Sequence, residues 1–160
     1  MIIVGVDPGL HVTGYGVLES NGRRTRVLEA GVIKTDNRHN FEGRIEEIYI
    51  EIGKVIEQFQ PDYIAVEELY SHYAHPKTAI IMGHARGVVF LQAARAGIPI
   101  ISYAATRIKK SLTGNGRASK LQVSRMIQMA LKYKGEVSSP DTTDALAAAL
   151  CHHNALLGKE

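Results

Sequence analysis

Residues 2–6, Ile-Ile-Val-Gly-Val, form an uninterrupted apolar run rich in β-branched side chains, and the chain then passes directly into Asp7-Pro8-Gly9. Successive side chains of a strand point to opposite faces, so a strand that is apolar at consecutive positions is covered on both. That requirement excludes a sheet with one wet face and points to an α/β domain with helices on both sides. It also puts a carboxylate, Asp7, at the end of a central core strand, with the turn chemistry of Pro-Gly behind it.

The rest of the chain extends this frame. Residues 13–19 and 26–35 read as two further strands with Asn21-Gly22 as a hairpin turn between them, which predicts an antiparallel meander. From Phe41 to Phe59, Ile45, Ile48, Ile52, Val55 and Ile56 recur at helical spacing among Glu and Arg, and Pro61 ends that helix. Residues 62–67 (DYIAVE) read as a strand reached by a helical crossover, hence parallel to the first, and it ends in Glu67-Glu68. Pro76 opens a helix to about Ala96 that is apolar on more than one face, with Gly83 and Gly87 four apart. Such a helix packs against the sheet and against something else, either a second subunit or more of its own core.

Residues 98–103 supply a last strand, and helices are expected over 104–112 and 119–133, separated by Gly114-Asn115-Gly116. Ser139 and Pro140 are the N-cap and first residue of an Ala-rich helix running to about Leu157. With 160 residues, 45% hydrophobic and 22% charged, the composition excludes a disordered or fibrous chain, and residues 1–160 are expected to form one domain. No stretch approaches the roughly 18 apolar residues of a membrane span, and the N-terminal segment lacks a basic region and meets Asp7 early, so a cytoplasmic protein without a membrane partner is expected. The single Cys151 reads as a small buried hydrophobe.

Charge is strongly segregated. The net charge is only +3, yet residues 69–135 contain no Asp or Glu and 11 Lys or Arg. A solvated surface ordinarily mixes signs, so a block of this kind points to an anionic partner, most simply a nucleic acid backbone. The plainer reading is that these bases spread over several faces and balance the acidic segments on either side.

Four acids stand where local structure does not require them: Asp7 and Glu67 at the ends of strands expected to be neighbours, and Asp141 and Asp144 one turn apart on the Ala-rich helix. If that helix crosses the strand ends, the four converge. Carboxylates so close need a cation, and an all-oxygen set suits hard Mg²⁺ or Mn²⁺. Two such ions roughly 3.5–4 Å apart activate a water and stabilise a leaving oxygen in phosphodiester hydrolysis. Each acid also has a plainer reading: Asp7 as a turn former, Glu67 or Glu68 as a strand-end charge, and Asp141 and Asp144 as partners of the helix dipole.

The motifs GVDPGLHVTGYGV at 5–17, QPDYIAVEELY at 60–70, GHARGVV at 83–89 and PDTTDALAAAL at 140–150 resemble, in order and spacing, the RuvC family of Holliday junction resolvases. The resemblance covers nearly the whole chain. It implies an RNase H-like α/β fold, a five-stranded mixed sheet of three antiparallel strands followed by two parallel ones, flanked by helices. It further implies a homodimer that cuts two strands of like polarity at a four-way DNA junction, with Mg²⁺ (or Mn²⁺) as cofactor, two ions per site, alongside the RuvA and RuvB branch-migration complex. The family's catalytic and metal-binding acids fall on Asp7, Glu67, Asp141 and Asp144, leaving Glu68 as a bystander. Its two functional lysines fall on Lys109 and Lys120, with Lys120 near the scissile phosphate and Lys109 on the backbone.

The family's aromatic falls on Tyr70, in position to stack on a junction base, although the family more often has Phe there. Gly114 and Gly116, in the family's Gly-x-Gly loop, and Arg117 complete the expected DNA contacts. His152 and His153 are expected to be structural. Three rivals stand beside this: an actin-like ATPase, because Asp7-Pro8-Gly9 and Thr13-Gly14-Tyr15-Gly16 look like that superfamily's phosphate loop, a YqgF-type nuclease relative, and a junction binder without catalysis.

Overall fold

The computed structural model describes residues 1–22, 24–69, 76–131 and 139–158. Ten elements follow one another: β1 (Ile2–Asp7), β2 (Val12–Ser20), β3 (Thr25–Lys34), α1 (Phe41–Phe59), β4 (Tyr63–Glu67), α2 (Pro76–Ala96), β5 (Ile100–Tyr103), α3 (Ala105–Thr113), α4 (Lys120–Leu131) and α5 (Pro140–Leu156). The sheet order is β3-β2-β1-β4-β5, antiparallel among the first three strands and parallel between β1 and β4 and between β4 and β5. This is the expected architecture.

Differences are confined to element ends. The last strand begins at Ile100 instead of residue 98, because Ile98 N–H donates to the Ala93 carbonyl and closes α2, with Gly97 at φ 69°. Residues 132–133, expected at the end of α4, lie outside the described residues. Ahead of Pro61, Gln60 adopts φ 44° as the left-handed cap of α1, whose first turn is capped by Asn40 Oδ1 accepting from Gly43 N–H at 3.0 Å. Among the described residues no helix is long and apolar enough to cross a membrane.

The sheet separates two cores. Val4, Val6, Val17, Ile64 and Val66 face Ile48, Ile52 and Val55 of α1 and Ala85, Val89 and Ala93 of α2. Ile3, Leu18 and Ala65 face α5, backed by Ile108 and Leu112 of α3 and Val123 and Ile127 of α4. Alternation along β1 therefore puts Ile3, Gly5 and Asp7 on the α5 face, and alternation along β4 puts Ala65 and Glu67 there too. Glu68 falls on the opposite parity and is exposed.

α5 is buried almost all round, from Thr142 to His153. It lies against strands that offer it no side chains. A Cβ on Gly5 would fall 1.9 Å from the Ala145 carbonyl oxygen, one on Gly14 2.1 Å from the Asp141 carbonyl oxygen, and one on Gly16 2.5 Å from Leu146 Cδ2. Gly5 and Gly16 are register partners, as are Asp7 and Gly14. At its far end α5 is pinned by His153 Nδ1 to Ser20 Oγ at 3.0 Å and by His152 Nδ1 to Tyr103 Oη at 2.7 Å, which makes both histidines structural. Gly5→Ala should therefore lower stability by about 3 kcal/mol, the upper end of ordinary overpacking, measured by urea unfolding. A near-neutral result would mean that α5 can rise off the sheet freely.

Candidate active site

Asp7 and Glu67 are the last residues of adjacent parallel strands, brought level by the pairs Gly5–Ala65 and Val6–Val66. The first turn of α5 crosses above them. Ser139 caps that turn, its Oγ accepting from Asp141 N–H at 3.1 Å and Thr142 N–H at 3.3 Å, and it also donates to Asp141 Oδ2 at 3.1 Å. Thr142 Oγ1 donates to the Gly31 carbonyl at 3.2 Å, so the start of the helix is tied across to β3. Both helix acids are thus fixed by backbone geometry.

A cleft of about 410 Å³ is lined by Asp7, Glu67, Glu68, Asp144 and Lys120. Lys120 Nζ donates to Asp144 Oδ2 at 3.0 Å. Lys109 lines an adjoining recess with Glu67, Lys120 and Asp144. Asp141 lies behind, outside the lining of that cleft, but its charge acts on Asp7. Gly114 is the left-handed cap of α3 at φ 76°, and Gly116 lies so close to α3 that a Cβ would meet the Thr106 carbonyl at 3.1 Å. Those contacts alone account for two glycines in this loop. Arg117 is exposed, its N–H donating to Asn115 Oδ1 at 2.9 Å. Tyr70 lies outside the described residues.

The electrostatics follow from the crowding. Burial, then the charges of Asp144, Asp141 and Glu67, raise Asp7 from an ordinary 3.8 to about 7, with Lys120 acting in the opposite sense. Burial and then Asp144 also raise Glu67, opposed by Lys120 and Lys109. The hydrogen bond that Lys120 donates to Asp144 holds its ammonium above its usual range. A cluster that keeps a proton near neutrality for want of positive charge fits a hard divalent cation, and all its donors are carboxylate oxygens. Among the described residues no three such side chains are already closed around one point, and Asp144 is held by Lys120 instead.

Three contributions were not anticipated. The glycine floor under α5 has a sequence signal, glycines at 5, 14 and 16 on paired strands against an Ala-rich helix. Thr13 is fully buried, and its Oγ1 donates to the Gly9 carbonyl at 2.7 Å and accepts from Gly9 N–H at 3.2 Å, which fixes the loop that leaves Asp7. Met82 and Thr78 of α2 wall the cleft, a placement that needs the tertiary fold.

A mixed sheet in this order, with acids at the ends of its two central parallel strands and on a helix laid across them, defines the class of RNase H-like nucleases. The family described as "Crossover junction endodeoxyribonuclease RuvC" matches residues 3–152. A RuvC of Rhodopirellula baltica is 45% identical over 94% of this chain and 85% of its own length, and one of Ruminiclostridium cellulolyticum is 42% identical over 100% and 99%. A solved structure of T. thermophilus RuvC in complex with Holliday junction substrate superposes with a TM-score of 0.92 at 31% identity, covering 99% of this chain and 96% of that one. The chain belongs to the RuvC family of crossover junction endodeoxyribonucleases, and the ATPase reading of residues 7–16 gives way to a nuclease one.

Asp7 also predicts a pH dependence. Its folded value lies above its unfolded one, so between roughly pH 4 and 7 the folded chain binds the extra proton and loses stability as pH rises. In EDTA, Asp7→Asn should remove that slope and stabilise the chain above neutrality by a few kcal/mol. Urea unfolding at a series of pH values checks this, and a variant that keeps the wild-type slope would place the titrating group elsewhere.

Proposed function

We propose that this endonuclease resolves four-way DNA junctions by paired, symmetric nicks in two strands of like polarity, using Asp7, Glu67, Asp141 and Asp144 to hold Mg²⁺ or Mn²⁺, two ions per site. The observation that carries the reading is the convergence of Asp7, Glu67 and Asp144 beside Lys120, in a cluster whose Asp7 is raised to about 7. The metal supplies Lewis-acid activation of the attacking water and stabilisation of the leaving oxygen. The residues do the rest. The strand ends and the capped helix turn hold the carboxylates rigid, so little reorganisation accompanies the reaction. Lys120, on the rim of the cleft with its side chain 79% exposed, exchanges its contact with Asp144 for the phosphate and offsets the charge that develops there.

Lys109, Arg117, Gly114 and Gly116 contact the DNA backbone from the acid-free segment, and Tyr70 stacks on a base at the junction centre. We further assign the outer face of α2 to a homodimer contact. Ile80 and Leu91 are 60% and 51% exposed on the side of α2 away from Ala85, Val89 and Ala93, and with Phe41 they line a groove of about 570 Å³. Two sites facing one junction then account for paired cuts. Residues 1–160 act as one nuclease domain, in the cytoplasm, with the RuvA and RuvB branch-migration complex as working partner by family resemblance.

The test is a synthetic four-way junction with each strand labelled in turn, with and without Mg²⁺, beside a linear duplex of the same sequence. Symmetric Mg²⁺-dependent nicks confined to the junction are expected, and cutting of the duplex at a comparable rate would sink the structure-selective reading. Lys120→Ala should slow single-turnover cleavage by about 100-fold or more while weakening binding much less. An equal loss in both would make Lys120 a phosphate contact only. Ile80→Glu with Leu91→Glu should give monomers in analytical ultracentrifugation, and a persisting dimer would move the contact elsewhere.

A further inference from the structure

The carboxylate cleft carries a cation of its own. Lys120 lines it together with the acids, and its Nζ donates to Asp144 Oδ2 at 3.0 Å. The two acids of α5 therefore have different keepers. Asp141 accepts from Ser139 Oγ at 3.1 Å, the cap of its own helix, whereas Asp144 is held by a residue 24 positions away in sequence, on α4. The charge of Lys120 also acts on Asp7 and Glu67. One side chain thus answers three of the acids that the nuclease reading gives to a metal.

Helix formation does not ask for a lysine at this position. Lys120 is the first residue of α4, whose first turn has no acid, and the N-terminus of a helix favours negative charge. The backbone here is fixed by a reciprocal cap: Ser119 N–H donates to Gln122 Oε1 at 2.8 Å, and Gln122 N–H donates to Ser119 Oγ at 3.3 Å. Val123 N–H adds a bond to the Ser119 carbonyl at 3.1 Å. The side chain, by contrast, is 79% exposed, against 28% for that of Asp144. A solvated stem on a fixed backbone reaches the carboxylate, and gives it up, at low cost.

We infer that Lys120 is a built-in competitor for the metal, a stand-in cation that holds Asp144 and must leave it before a divalent ion can use that carboxylate. The inference rests on the nuclease reading above and adds to it a link between the metal and the phosphate. A carboxylate oxygen bonded to the ammonium is not available as a metal ligand, so the two cations exclude each other at Asp144. Lys120 drawn to a phosphate opens Asp144 to the ion, and Lys120 displaced from Asp144 is available to a phosphate. By linkage each event favours the other by the same factor.

The test is Mn²⁺ binding by the full-length chain without DNA, read from the electron paramagnetic resonance signal of free Mn²⁺, which requires no cleavage. Lys120→Met should bind Mn²⁺ about fivefold more tightly than the wild type, or more, the upper end of what an exposed ion pair is worth. Lys120→Arg, which keeps the charge, should bind no more tightly than the wild type. Lys109→Met removes a charge from the adjoining recess and leaves the Asp144 hydrogen bond in place, so it should give a smaller gain. A Lys120→Met chain with wild-type affinity, or a gain equalled by Lys109→Met or Lys120→Arg, overturns the competition alone. A wild-type chain that binds no Mn²⁺, or whose binding Asp7→Asn does not weaken, overturns the metal reading and the competition together.

Discussion

The close seating of α5 on the sheet is the constraint on which the rest depends. A helix normally rests on a sheet through an intervening layer of side chains. Here Gly5, Gly14 and Gly16 remove that layer where the helix crosses, and Ala145, Ala148 and Ala149 are small on its side. The approach brings the backbone of Asp141 and Asp144 down to the ends of β1 and β4. With ordinary side chains on β1 and β2, the helix acids would stand too far from Asp7 to raise its affinity for a proton as they do. The geometry of the proposed site is therefore a packing property before it is an electrostatic one.

The electrostatic consequence is a site of one sign set inside a surface of the other. Four carboxylates, Asp7, Glu67, Glu68 and Asp144, line the cleft together with Lys120, and Lys109 stands in the next recess. Burial and mutual repulsion make the cluster unfavourable on its own, and a ligand that brings positive charge relieves that cost. The basic elements around it act at longer range, drawing a polyanion toward a cleft that would repel it in isolation. The charge distribution thus has two halves: α3, α4 and their loop carry bases without acids, while β1, β4 and α5 carry the clustered carboxylates.

Much of this was legible in the residues. The run from Ile2 to Val6 specified a doubly covered strand because no other arrangement buries consecutive β-branched side chains, and Ser139-Pro140 fixed the start of α5 through capping chemistry. In sequence the choice of Glu67 over Glu68 rests on the match to the family's motif; strand parity places Glu67 on the α5 face with Ala65, while Glu68 also lines the cleft. The different placement of Asp141 and Asp144, one behind the cleft and one on its wall, was not legible, since spacing gives only a shared helix face. Nor were the Thr13 clasp on Gly9 or the wall contributed by Thr78 and Met82, because those depend on how loops and helices close in three dimensions. Gly114 and Gly116 carried a signal whose local cause, a left-handed cap and a close approach to Thr106, needed coordinates.

The same seating of α5 sets an order on folding. The strands at the start of the chain are completed by a helix near its other end, with Ser20 and His153 separated by 133 positions yet joined by a hydrogen bond. Contacts of such long sequence separation form late, after the loop-closure entropy of everything between has been overcome. On the ribosome, β1 to β3 emerge with their glycine face uncovered and wait for residues 140–153 before that face can be buried. Since those residues also bring Asp141 and Asp144, the burial of that face and the convergence of the acids are one event. A nascent or truncated chain that stops short of α5 holds Asp7 and Glu67 without Asp141 and Asp144, so the proposed site is incomplete until the fold is closed.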